Sequence, residues 1–97
     1  SGPGYIFNLI ESLENASQKI GFSKKISRKL ILSTILGSAK LMKQTNKEPD
    51  DLVNSIAVKG GTTEAGVRVL RKNKLFKIFY KTFLTAYQRA LKLGNKK

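Results

Sequence analysis

Residues 26–42 read ISRKLILSTILGSAKLM, with apolar side chains recurring at the spacing of a helix. The main apolar stripe consists of Ile26, Leu30, Ile31, Ile35, Leu41 and Met42, and it is widened by Leu32, Leu36 and Ala39. A helix that is apolar around most of its circumference is buried on more than one side. In a chain of 97 residues, this pattern predicts that a partner subunit covers part of the helix. Gly37 lies in the middle and costs about 1 kcal/mol relative to alanine, so we expect close contact with another helix there.

Helical spacing continues on both sides of this segment, and no alternating strand pattern of useful length interrupts it. The sequence therefore predicts an all-α domain of about five helices over residues 1–97, without an internal repeat or a long linker. The first predicted helix carries apolar residues from Tyr5 to Ile20 on one face and stops at Gly21. The others run from the N-cap Ser23 to about Thr45, from Pro49 to near Ala57, from Thr62 to about Lys72, and from Leu75 to Gly94.

Composition excludes several classes of site. The chain has no cysteine and no histidine, so it cannot build a disulfide, a conventional zinc site or a Ser-His-Asp hydrolase by itself. The longest unbroken apolar run is Leu30–Leu32, far below the roughly 20 residues that span a bilayer. We therefore predict a cytoplasmic protein with no bound metal and no membrane association.

The net charge of +13 raises the alternative of a small basic helical module that binds nucleic acid. Two basic clusters stand out: Lys24, Lys25, Arg28 and Lys29, then Arg68, Arg71, Lys72, Lys74 and Lys77. Phe76 is the single aromatic residue that interleaves with these clusters, whereas base stacking would need several. A solvated basic surface is the favoured interpretation, and we predict no nucleic-acid partner.

Val58-Lys59-Gly60-Gly61-Thr62-Thr63 is the segment with the clearest chemical meaning. A helix start presents free backbone N–H groups and a partial positive charge, and glycine lets an anion approach the backbone closely. The threonine hydroxyls serve either as helix caps or as ligand contacts. The segment therefore indicates capture of a small carboxylate or phosphate, although the same residues also form ordinary loop-to-helix junctions.

Taken in order, four segments resemble the C-terminal dimerisation domain of the pyrroline-5-carboxylate reductase family. Residues 1–7, SGPGYIF, are similar to that family's Ser-Gly-Pro-Ala-Tyr-x-Phe, and residues 33–42, STILGSAKLM, to its Gln-Thr-Val-x-Gly-Ala-Ala pattern. Pro49 and Leu52 match its short helix. Residues 60–63, with Ala65 and Leu70, match its Ser-Pro-Gly-Gly-Thr-Thr hallmark. The resemblance covers essentially the whole chain.

This resemblance implies an interlocked homodimer with the fold of the 6-phosphogluconate dehydrogenase C-terminal domain, and larger rings built from such dimers. It implies a substrate site for Δ1-pyrroline-5-carboxylate or proline within an enzyme of proline biosynthesis. The implied substrate-binding residues are Val58, Lys59, Gly60, Gly61, Thr62 and Thr63. The amides of the last three would hold the carboxylate, and the Thr63 hydroxyl, as the catalytic group, would lie near the ring nitrogen.

The sequence departs from the family pattern in two ways. Val58 and Lys59 replace the usual serine and proline, and loss of the serine hydroxyl is expected to weaken substrate binding. The chain also lacks the Gly-x-Gly-x-x-Gly of an N-terminal Rossmann domain. The resemblance then implies that NADPH or NADH is held by the full-length protein, with no cofactor bound by this chain and no reductase activity in isolation. A non-catalytic interaction module is the remaining alternative.

Overall fold

The computed structural model describes residues 1–95, which form five α-helices and no strand. These are α1 (Gly2–Lys19), α2 (Lys24–Gln44), α3 (Pro49–Ile56), α4 (Thr62–Lys72) and α5 (Leu75–Gly94). The prediction of an all-α chain of about five helices is confirmed. The chain divides into two units, one from Ser1 to Pro49 and one from Asp50 onward.

Helix boundaries follow local capping signals. The Ser23 side chain accepts a hydrogen bond from the Ile26 N–H at 3.1 Å, so it caps α2 as predicted. Gly21 separates α1 from α2 with a φ of 123°, a conformation open to glycine and strained for other residues. The first helix begins at Gly2, and the proline in its first turn suits this start because it has no N–H that needs an acceptor.

In the first unit, the contact between α1 and α2 is polar near the connection that joins the two helices. Ser27 is fully buried, and its hydroxyl donates a hydrogen bond to Ser17 Oγ at 2.9 Å. The Glu14 carboxylate is also buried and accepts hydrogen bonds from Nε and Nη2 of Arg28, the second at 3.1 Å. The bidentate pair joins the two helices and fixes how they align.

This ion pair should make the first unit sensitive to acid. Hydrogen bonding from Arg28, reinforced by its charge and opposed by burial, lowers the pKa of Glu14 below its ordinary value of 4.5. The stabilisation is therefore complete above pH 4.5 and disappears as the pH falls through the lower native pKa. We expect Glu14→Gln to lower the thermal midpoint at pH 7, and the difference from the parent protein to shrink at low pH.

Circular dichroism melts between pH 2 and pH 7 measure this dependence. Glu11→Gln is the matched control, because Glu11 is an exposed carboxylate of the same helix. A Glu14→Gln protein whose destabilisation is the same at every pH would show that the ion pair does not couple to protonation.

Within the described residues, no apolar side chain is buried by the chain itself. Along α2, Ile26, Leu30 and Leu41 are 49%, 49% and 43% exposed. Gly37 lies between them, and no atom comes within 4 Å of the position a Cβ would occupy there. We call these four residues the outer stripe of α2. Within residues 1–95, no other helix contacts α2 at Gly37. The close contact predicted there stays a prediction about a partner subunit.

In the second unit, an ion pair at 2.9 Å between Arg71 and Asp50 joins the last turn of α4 to the first turn of α3. The Asp50 carboxylate lies at the positive N-terminal end of α3, and the Arg71 guanidinium lies at the negative C-terminal end of α4. The helix dipoles therefore stabilise both charges. The aromatic residues of α5 pair along the helix, with the rings of Phe76 and Tyr80 stacked 6.2 Å apart. Phe76 is nevertheless 78% exposed, so these rings form no core within one chain.

No helix within residues 1–95 combines the length and the hydropathy that crossing a bilayer requires.

Candidate functional site: the glycine turn before helix α4

The six predicted site residues form one tight turn and the start of α4. The Gly61 N–H donates a hydrogen bond to the Val58 carbonyl at 2.8 Å, which closes a four-residue turn. Gly60 is the third residue of this turn, with a φ of 77°, as in a type II turn. Lys59 occupies the second position, which favours proline, so the family's usual proline suits the geometry.

Glycine is needed at position 61 because Val58 lies close to where a side chain would begin. A Cβ built on Gly61 would lie 3.0 Å from both the Val58 carbonyl oxygen and Val58 Cγ2. Since the carbonyl is backbone and already accepts the Gly61 N–H, the turn would have to open to admit a side chain. Val58 itself is 70% exposed, and its side chain offers a ligand methyl groups and no hydroxyl.

The first N–H groups of α4 remain available to a ligand. Gly61 is the N-cap, and no carbonyl among the described residues accepts a hydrogen bond from the N–H of Thr62 or Thr63. The Gly61 N–H, in contrast, is used inside the turn. Of the three amides assigned to carboxylate binding, the turn therefore leaves those of Thr62 and Thr63 free. Both lie at the N-terminus of α4, the positive end of the helix dipole.

Neither threonine hydroxyl caps the helix. The N-cap glycine has no side chain to do so, and no described residue makes a hydrogen bond to the hydroxyl of Thr62 or Thr63. Thr62 is exposed and Thr63 is half-buried. Of the two roles predicted for these hydroxyls, capping is not observed, and both groups are free to contact a ligand.

Glu64 belongs to the site although the sequence analysis did not identify it. Its Oε1 atom accepts a hydrogen bond from the Gly60 N–H at 3.1 Å and another from Arg68 Nη2 at 3.3 Å. The signal was present in the sequence: Glu64 stands three residues after Gly61, where the acidic residue of a capping box is found. In a capping box this carboxylate accepts from the N–H of the N-cap residue, which here is Gly61. The Glu64 carboxylate instead accepts from the N–H of Gly60, one residue earlier.

A cavity of about 600 Å³ lies beside the turn, between α3 and α4. Its wall includes Val53, Ala57, Glu64 and Arg68, but neither threonine. The residues that carry the free amides are therefore not part of this cavity's wall.

Residues 1–95 contain neither a cluster of metal ligands nor the turn that binds a nicotinamide dinucleotide. No group of three or more His, Cys, Asp or Glu side chains gathers within residues 1–95. The nicotinamide dinucleotide implied by the resemblance needs a Gly-rich turn between a strand and a helix. Residues 1–95 contain no strand, and the glycine turn at Gly60 follows a helix.

Comparison with known proteins identifies one family. The family model described as pyrroline-5-carboxylate reductase dimerisation matches residues 1–93. The chain is 42% identical over 74 residues to pyrroline-5-carboxylate reductase 2 of Bacillus subtilis, covering 76% of this chain and 27% of that protein. It is 38% identical over 96 residues to the pyrroline-5-carboxylate reductase of Synechocystis, covering 99% of this chain and 36% of that protein.

Solved structures give the same result. The pyrroline-5-carboxylate reductase of Coxiella burnetii superposes with a TM-score of 0.91 at 34% identity, over 96% of this chain and 34% of that one. The pyrroline carboxylate reductase of Plasmodium falciparum, solved with NADP bound, gives a TM-score of 0.79 at 35% identity, over 82% of this chain and 32% of that one.

The chain spans about a third of the length of these relatives. The matches give no support to the alternative of a nucleic-acid-binding module. They extend over nearly all of the described residues and include the glycine turn and both flanking helices. This chain belongs to the pyrroline-5-carboxylate reductase dimerisation family.

Proposed function

We propose that the protein reduces Δ1-pyrroline-5-carboxylate to proline, and that this chain supplies its homodimerisation and substrate-binding domain. The observation that carries the proposal is the glycine turn with the free amides of Thr62 and Thr63, in a chain that matches the family over residues 1–93. The cofactor, NADPH or NADH, is assigned to a Rossmann domain outside these 97 residues.

The substrate carboxylate fits the start of α4. Two adjacent N–H groups at the positive end of a helix form a site for a small anion. The exposed ammonium of Lys59, in the same turn, adds a second positive charge. Gly60 and Gly61 allow the closed, hydrogen-bonded turn that leaves the Thr62 and Thr63 amides free for the carboxylate.

Thr63 is assigned to the proton side of the reaction. Reduction of a C=N bond adds hydride to carbon and a proton to nitrogen, so the nitrogen needs a nearby donor. The Thr63 hydroxyl is half-buried and has no partner within the described residues. Because a threonine hydroxyl is a weak acid, it serves by donating a hydrogen bond to the nitrogen and by relaying a proton from water.

The homodimer explains the exposed apolar surface. The outer stripe of α2 and the aromatic residues of α5 are apolar surfaces that water would otherwise cover. A second copy that interlocks with the first would bury them, as the family's dimerisation role implies.

Thr63→Val tests the assigned chemistry in the protein at its native length. The substitution keeps the shape of the side chain and the backbone amide but removes the hydroxyl. We expect kcat for Δ1-pyrroline-5-carboxylate to fall about tenfold, with little change in KM, measured from cofactor oxidation under steady-state conditions.

Thr85→Val is the matched control, because it removes the hydroxyl of an exposed threonine on α5 and leaves the glycine turn unchanged. Its kcat should equal that of the parent protein. Equal rates for the parent and Thr63→Val proteins would remove Thr63 from the proton path, and a parent protein that fails to reduce the substrate would refute the proposed function.

A further inference from the structure

We infer that Glu64 is a positioning residue for recognition of the substrate carboxylate, an inference that rests on the proposed function. Its carboxylate binds the Gly60 N–H at 3.1 Å and so occupies one of the outward-facing amides of the glycine turn. An anion from the substrate is then directed to the next free amides, those of Thr62 and Thr63. Glu64 thus selects where the substrate carboxylate binds.

The hydrogen bond also maintains the shape of the turn. Gly60 has a left-handed φ of 77°, and glycine is free to leave that conformation because it has so many alternatives. The bond from its N–H to a side chain of α4 links the middle of the turn to the helix that follows. A turn held in this way presents the two free amides in a fixed direction, which reduces the ordering that substrate binding would otherwise require.

Arg68 makes this arrangement compatible with an anionic substrate. A lone carboxylate beside the binding amides would repel the carboxylate of the substrate. Arg68 donates to the same Oε1 atom at 3.3 Å and supplies a compensating positive charge. The three groups form a short chain from the Gly60 N–H through Glu64 to Arg68.

The test uses the protein at its native length and two substrates, Δ1-pyrroline-5-carboxylate and 1-pyrroline, the same cyclic imine without a carboxylate. For Glu64→Ala, we expect KM for Δ1-pyrroline-5-carboxylate to rise roughly three- to tenfold with kcat little changed. The kcat/KM for 1-pyrroline should stay at the parent value, because that substrate makes no contact through a carboxylate.

Two further variants sharpen the result. Glu64→Gln keeps an oxygen that accepts the Gly60 N–H, so its KM should lie closer to the parent value than that of Glu64→Ala. Arg68→Ala should raise KM for Δ1-pyrroline-5-carboxylate, whereas Arg71→Ala should not. Arg71→Ala is the matched control, because it also removes one positive charge from α4. Arg71 pairs with Asp50 and not with Glu64.

An unchanged or lower KM for Δ1-pyrroline-5-carboxylate in Glu64→Ala overturns the inference, since it would mean that the carboxylate only repels the substrate or does nothing. Equal losses for both substrates overturn it too, because they would indicate general damage to the fold. A parent protein that is inactive on Δ1-pyrroline-5-carboxylate refutes the proposed function instead, so the two failures are distinguishable.

Discussion

Leu30→Asp is expected to abolish the homodimer and, with it, most of the folded structure. Leu30 lies in the outer stripe of α2 and is 49% exposed in the single chain, although it is a large apolar residue. If a second copy covers the stripe, the substitution removes about 2 kcal/mol of apolar burial and leaves an unpaired carboxylate in an apolar contact. Because the two copies use the same surface in a symmetric interface, the substitution acts on it twice. We therefore expect the dissociation constant to rise at least about a thousandfold.

Sedimentation equilibrium and circular dichroism measure these effects. Lys29→Asp is the matched control, since Lys29 is the adjacent residue on α2 and lies about 100° around the helix from Leu30. It should remain assembled and helical. A Leu30→Asp protein that assembles as well as its parent would show that the outer stripe of α2 is not part of the interface.

Gly61→Ala should produce the largest loss of substrate affinity from a single methyl group. The new Cβ would meet the Val58 carbonyl oxygen at 3.0 Å, and the turn must open to relieve the contact. Overpacking of this kind costs about 1–3 kcal/mol, and a displaced turn no longer aligns the Thr62 and Thr63 amides. We expect KM for Δ1-pyrroline-5-carboxylate to rise about tenfold to a hundredfold, with the helical content unchanged.

Gly66→Ala supplies the comparison. Gly66 lies inside α4, where no atom comes within 4 Å of an added Cβ and the backbone is helical. Alanine there should leave KM unchanged and stabilise the helix by roughly 0.5–1 kcal/mol. If Gly61→Ala binds substrate as tightly as Gly66→Ala does, the glycine turn cannot be where the carboxylate binds.

Local signals were sufficient to predict the helices. The N-cap Ser23, the residues Pro49 and Gly21, and the apolar spacing all act within a few residues, and the helix ends that they predict agree with the structure. The interpretation of α2 as buried on several sides is met only in part, since one side contacts α1 and the outer stripe stays exposed.

Contacts between distant residues were not predictable in the same way. The Glu14–Arg28 pair joins residues on two helices, and nothing in the spacing of charges along the chain distinguishes it from the surrounding solvated charges. The glycine turn was identified as an anion site, but the use of the Gly61 N–H inside the turn depends on the φ of Gly60. The role of Glu64 likewise follows from where its side chain reaches and not from its position alone.

The central claim is that this chain builds its apolar core only together with a second copy of itself. Sedimentation equilibrium of the 97-residue chain, at low salt and again near 1 M salt, tests that claim directly. An apolar interlocked interface predicts a dimer or a larger assembly at both salt concentrations, because salt screens charges and does not weaken apolar burial. A helical, cooperatively folded monomer would contradict the account.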